Sequence, residues 1–177
     1  NSFCTLLQMP KRTRQDAALA TASCACWLMK TEPSTFSISD LQQQKQSPWD
    51  GVRNYQARNF MKQMKAGDRV LIYHSNAKPP GVAGLARVSR EAYPDHTARD
   101  PKSKYFDPKA SSEKPIWEMV DVEFEKTFDR PIPLDALKSE SALRDMILFK
   151  RGRLSVQPVE PKEFNHIVAM AASSDSS

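Results

Sequence analysis

Arg69-Val70-Leu71-Ile72-Tyr73-His74, then Pro79-Pro80-Gly81, then the run from Gly81 to Ala92 is the stretch that sets the architecture. Its first part is rich in β-branched and aromatic residues and reads as a strand. The two prolines and the glycine stop that strand and turn the chain, so the second run is its hairpin partner. Upstream, Cys26-Trp27-Leu28-Met29-Lys30 is a short apolar strand that Glu32-Pro33 breaks. Ser37 or Ser39 caps a short helix through Leu41 to Gln44, and Pro48 and Gly51 punctuate the chain after it. From Tyr55 to Met64, Phe60, Met61 and Met64 recur at helical spacing while Arg58, Lys62 and Lys65 face outward, and Gly67-Asp68 closes the helix. Downstream, residues 94–115 form one long loop rich in Pro, Asp, Lys and Ser. Val120, Val122 and Phe124 then alternate with Asp121, Glu123 and Glu125 in a half-buried strand that Pro131 and Pro133 end. Leu134 to Phe149 holds one or two short helices, Leu154-Ser155-Val156 a brief strand, and Pro161 starts a last helix to about Ala171. Strands interrupted by irregularly placed helices, with no βαβ repeat, make an α+β fold with a partly closed barrel.

The chain has 177 residues and 40% hydrophobic content, enough for one domain with a real core. No apolar run approaches the ~20 residues that span a bilayer, so no membrane partner is expected. Cys4, Cys24 and Cys26 lie together near one end, an odd set that cannot staple a fold and that fits a reducing, nuclear or cytoplasmic compartment. Cys24-Ala25-Cys26 and three scattered histidines, His74, His96 and His166, do not make a zinc site. The net charge of +5 favours a polyanionic partner, although part of the excess sits in Lys11, Arg12 and Arg14. Residues 1–25 are expected to be a disordered tail or a leader, with residues 26–172 as the domain and 173–177 as a short tail.

Function is concentrated in Trp49-Asp50-Gly51-Val52-Arg53-Asn54, which sets an indole, a carboxylate, a guanidinium and a carboxamide around one glycine. A pocket for a planar polar ligand needs that mixture: a ring to stack on, edges to read, a charge to hold. The same residues serve equally as a helix N-terminus that Asp50 or Asn54 caps and whose core Trp49 plugs. Lys30-Thr31-Glu32-Pro33, Tyr73-His74-Ser75-Asn76 and the surroundings of Trp117 are three more polar clusters at strand ends, where binding residues concentrate. Each has a plainer reading as turn, structural histidine or core tryptophan. Tyr93-Pro94-Asp95-His96 reads as a loop knot. No Gly-x-Ser-x-Gly elbow surrounds Ser75, and no phosphate-binding glycine loop or dinucleotide fingerprint occurs, so no enzyme is expected.

These stretches, in order from Trp27 to about Met170, resemble the EVE-domain family. The matching segments are Trp27 to Pro33, Trp49 to Phe60, Tyr73 to Asn76, Pro80 to Gly84, Glu91 to Thr97, Trp117 to Val122 and Arg153 to Pro158. The resemblance implies a PUA-like twisted β-barrel with flanking helices, related to the YTH readers of methylated adenine. It implies a non-enzymatic module that binds DNA or RNA and accepts a modified base, methylated or hydroxymethylated cytosine foremost; no metal, no cofactor and a monomer are expected. The implied pocket draws on Trp27, Lys30, Thr31, Glu32, Trp49, Arg53, Asn54, Tyr73, His74 and Ser75. One departure is Thr31, where the family has Ser before Glu-Pro; its extra methyl narrows the pocket while keeping a hydroxyl. Arg53, Arg58, Lys62 and Lys65 are the candidates for phosphate contact. Two readings from other classes stay open. One is a nucleoside-binding or small-molecule-binding protein or hydrolase that uses the same pocket, with His74 as base and Asp50 or Glu32 as partner. The other is a scaffold whose partner docks on residues 94–115.

Overall fold

Alternation along the first strand decides where everything else packs. In the computed structural model, which describes residues 24–174, β1 (Cys26–Thr31) sends Trp27 and Met29 into one hydrophobic core and Cys26 and Leu28 into another. The expectations for the tails, including the basic run at Lys11 to Arg14, lie outside the described residues in all but Cys24, Ala25, Ser173 and Ser174. Both faces of β1 are buried, which is why its sequence reads as a continuous apolar run and not as an alternating one. The chain continues through α1 (Ile38–Gln44), β2 (Gln46–Trp49) and α2 (Tyr55–Gln63) to β3 (Arg69–His74), β4 (Gly81–Pro94) and β5 (Glu118–Pro133). It ends with α3 (Leu134–Ser139), α4 (Ile147–Lys150), β6 (Val156–Val159) and α5 (Pro161–Ser174).

The six strands form one mixed sheet in the order β2-β5-β4-β3-β1-β6. Only β1 and β3 are parallel among the described pairs, and α1, β2 and α2 make the crossover between them. Repeated register shifts along β3–β4 and β4–β5 mark bulges, and bulges bend and twist the long hairpin. On one face, Val70, Ile72, Val88, Val120 and Val122 pack with Leu41 of α1 and Met61 of α2. On the other, Leu28, Leu71 and Leu85 pack with Leu137, Phe164 and Ile167 from the C-terminal helices.

Two elements differ from the sequence expectation. Residues 46–49 are a strand that pairs with β5, although Pro48 reads as punctuation. A proline is tolerated there because β2 is at one end of the strand order and need not donate outward. The last strand begins at Val156, not Leu154, because the Leu154 amide is used in a turn onto the Arg151 carbonyl. Pro158 again sits on a terminal strand.

Helix starts follow capping chemistry. Ser37 and Asp40 form a reciprocal capping box on α1, and Asn54 caps α2 by accepting from the Ala57 amide at 2.9 Å. That second cap fixes where the Trp49–Asn54 stretch ends and the helix begins.

Candidate functional site

Several segments meet at one cavity of about 640 Å³, within the ~300–1,000 Å³ usual for ligand sites. The end of β1 gives Lys30, Thr31 and Glu32; the following loop gives Phe36; β2 and its exit give Ser47 through Arg53. Residues 104 and 105 of the long loop and Ser155 close the remaining sides. Trp49 is 8% exposed, with Phe36 edge-on at 6.1 Å between ring centroids. Thr31 Oγ1 donates to the Phe36 carbonyl at 2.7 Å, so the hydroxyl at the family's usual Ser position holds the loop that carries the second ring. Lys30 Nζ donates to the Gly152 carbonyl at 2.5 Å and lies 5.6 Å from the Tyr73 ring centre, and burial lowers its pKa. Asp50 opens to solvent on one side while the cavity walls crowd the other. Burial pushes its carboxyl above the ordinary value, and the negative charge of Asp95 adds to that.

Asp95 is the knot that assembles this wall. Its side chain is fully buried, and Oδ2 accepts from the Gly51 amide and from Arg53 Nη1, both at 2.9 Å. Oδ1 accepts from the Thr97 amide at 2.9 Å and the Thr97 hydroxyl at 2.6 Å. Burial alone would raise this carboxyl; the hydrogen bonds from Thr97, Arg53 and Gly51 and the Arg53 charge outweigh it and hold the pKa below the ordinary value. Arg53 is occupied on every side: Nε donates to the Tyr105 carbonyl, Nη1 also to the Val52 carbonyl, and Nη2 to Thr97 Oγ1. Gly51 takes φ +76°, and a Cβ there would stand 2.6 Å from the Tyr105 ring. Only glycine lets the long loop lie this close.

Of the residues expected at the pocket, Lys30, Thr31, Glu32, Trp49 and Arg53 line the cavity. Five others stand away from its walls, each for a local reason. Trp27 is in the core against Phe60, its Nε1 donating to Asp68 Oδ2 at 3.0 Å. Asn54 is engaged as the helix cap. Tyr73 faces the second core, and the Ser75 amide extends the β1–β3 pairing onto the Thr31 carbonyl. His74 Nε2 accepts from the Ile38 amide at 3.1 Å, and burial lowers its pKa, so the ring is neutral and its lone pair is used. Of the expected phosphate contacts, Arg58 binds the Ile116 carbonyl, Lys62 is exposed, and Lys65 is exposed beside Glu91 at 3.6 Å. Asp95, Lys104 and Tyr105 are site residues that sequence reasoning misses. Their only signal is the length of the loop itself, with an aromatic in its middle and an Asp-x-Thr turn at its start.

A family model described as the EVE domain matches residues 25–170. The chain belongs to the EVE-domain family. Human thymocyte nuclear protein 1 is 45% identical over 163 residues, covering 81% of this EVE-domain chain and 72% of that protein. A hypothetical protein from Leishmania major superimposes with a TM-score of 0.84 at 55% identity, covering 86% of this chain and 97% of that one. Human THYN1 protein, in a crystal structure with 5-methylcytosine-containing DNA, gives a TM-score of 0.80 at 43% identity over 83% of this chain and 97% of that one. The six-stranded mixed sheet with flanking helices is thus the PUA-like α+β fold that the resemblance implied. Among the described residues of this EVE domain, no helix is long and apolar enough to cross a membrane.

Proposed function

We propose that this EVE-domain chain is a non-enzymatic nucleic-acid-binding module that takes a modified base, methylated or hydroxymethylated cytosine foremost, into the cavity beside Trp49. The observation that supports this most is the cavity's makeup: an indole and a phenyl ring, a carboxyl at Asp50 and ammonium groups at Lys30 and Lys104 around a space of nucleotide size. A relative at 43% identity that was crystallised with 5-methylcytosine-containing DNA supports the same reading. Residence in the nucleus, carried in the name of the relatives, is part of the proposal.

The energetics are those of a flipped base. Leaving the stack costs a few kcal/mol, and stacking on an aromatic returns ~1–3 kcal/mol. Cytosine presents an amino donor beside a ring-nitrogen acceptor. The Asp50 carboxylate accepts from the first. A base that leaves such an edge group unpaired forfeits ~1–3 kcal/mol, which is the source of selection. The 5-methyl group then needs an apolar wall, and Phe36, Pro48 and Val52 are at hand.

The test is anisotropy titration of labelled oligonucleotides that differ only in one base: cytosine, 5-methylcytosine, 5-hydroxymethylcytosine, adenine or N6-methyladenine, each at two salt concentrations. The expected result is salt-sensitive binding that ranks the bases, kept by Trp49→Phe and lost by Trp49→Ala. Equal affinity for all five oligonucleotides would overturn the cavity reading. Turnover of a small molecule, or tight binding of nucleosides without any preference for polymer, would favour the hydrolase or nucleoside-binding alternative.

A further inference from the structure

From the cavity to the outer surface, cations and aromatic rings form one continuous series of contacts. Lys104 Nζ lies 4.8 Å from the Tyr105 ring centre, and Arg53 Cζ lies 5.7 Å from it on its way to Trp117, at 5.4 Å. Trp117 stacks on Tyr55, with 4.8 Å between centroids and 27° between planes. Arg58 Cζ then stands 5.0 Å from the Tyr55 ring and closes the series. The inner members are locked: Arg53 by its hydrogen bonds, Trp117 by donating Nε1 to Asp107 Oδ2 at 2.7 Å. The outermost ring is different. Tyr55 is 57% exposed, the most exposed large hydrophobic among the described residues. It is neither a helix cap nor part of either hydrophobic core.

We propose that Tyr55, backed by Trp117 and flanked by Arg58, is a second nucleobase platform that stacks the nucleotide next to the one held in the cavity. The occupant is a single-stranded segment of nucleic acid. Any base has a π-face to lay on a rigid ring, and the guanidinium beside it meets the phosphate that joins the two nucleotides. The backing matters, because a ring already pinned by a stacked indole loses little freedom when a base arrives. Charge points the same way: of the three cations in the series Arg53 is paired with Asp95, and Arg58 and Lys104 stand at its two ends. A protein partner docking here would want a larger apolar patch than one half-exposed ring. This inference rests on the base-reading proposal for its register but not for its surface.

The experiment uses the full chain and two probes: 5-methyl-2′-deoxycytidine as free nucleoside, and a single-stranded oligothymidylate with one central 5-methylcytosine. Nucleoside binding is read by nuclear magnetic resonance at the Trp49 indole, oligonucleotide binding by anisotropy. Tyr55→Ala is expected to weaken the oligonucleotide roughly five- to hundred-fold, the range for losing one base–aromatic stack. Nucleoside affinity should stay within two-fold (about measurement error on this scale), and Tyr55→Phe should restore the oligonucleotide. Thermal melting of the variant checks that the helix is intact. Unchanged oligonucleotide affinity in Tyr55→Ala overturns the platform, as does a parallel loss on both probes. If wild type fails to bind the nucleoside while Tyr55→Ala still weakens the oligonucleotide, the platform stands and the cavity reading falls.

Discussion

Removing the Asp95 carboxylate should take down the whole loop wall, because one buried side chain holds it together. Asp95→Ala removes the acceptor for Gly51, Arg53 and both Thr97 donors at once. Breaking a buried ion pair from one side costs about 3–5 kcal/mol, because the remaining charge is left uncompensated. Arg53 keeps the Tyr105 and Val52 carbonyls, which places the expectation at the lower end, about 3 kcal/mol. Asp95→Asn keeps the shape and one acceptor oxygen and loses the charge, so about 2 kcal/mol is expected from the weaker, neutral hydrogen bonds. At roughly 2–4 °C per kcal/mol for a chain of this size, the alanine variant melts about 6–12 °C lower. The pH dependence carries a second signature. The Asp95 pKa is depressed in the folded state, so its stabilisation is present above the unfolded carboxyl value of about 3.9 and is lost as pH falls through the folded value. Asp95→Asn should therefore differ from wild type by a constant amount above about pH 4 and converge with it as pH falls below that value. Urea unfolding from pH 3 to pH 7, run beside oligonucleotide binding, measures both. An alanine variant within about 1 kcal/mol of wild type at pH 7, still ranking bases normally, would refute the claim that this carboxylate builds the wall.

Other outcomes follow from the same geometry. Gly51→Ala combines a left-handed backbone with a Cβ against the Tyr105 ring, so it should cost about 1–3 kcal/mol in urea and weaken base discrimination. Asp50 has a raised folded pKa, so its ionised form opposes folding: Asp50→Asn should be the more stable protein at pH 7, with the difference vanishing below the unfolded carboxyl value of about 3.9. The same variant should flatten the pH dependence of binding to cytosine-type oligonucleotides, read by anisotropy just above the ordinary carboxylate range. His74 has a lowered folded pKa, so wild-type stability should fall as pH drops through the unfolded imidazole value of about 6.5, and His74→Gln should lose that slope in a urea series. A Gln carbonyl can still accept from the Ile38 amide, so the neutral-pH stability of that variant should stay close to wild type.

By itself the sequence determined what is local. Strand positions followed from β-branched runs such as Val70 to Tyr73, helix positions from the spacing of Phe60, Met61 and Met64, and the start of α2 from an asparagine that can cap. It also singled out the hexad at Trp49, because a mixture of ring, acid, base and amide beside a glycine is unusual for a core. Only the tertiary structure decided which of those polar groups meet. Trp27 and Trp49 are the same residue type and pack in the same hydrophobic core, yet one is fixed by Asp68, 41 residues away, and the other also walls the cavity with Phe36. Nothing in the neighbouring sequence distinguishes them, since the difference is which side chains from other segments each indole meets. Asp95 reads as a loop residue until a partner 44 residues earlier supplies the Gly51 amide and, with Arg53, the reason for burying it. Likewise Gln46 to Trp49 is a strand only because β5 offers it hydrogen bonds, and no local preference overrides its proline. Short-range order is carried by backbone preference and periodicity, whereas the pocket is made by contacts between segments that sequence distance hides.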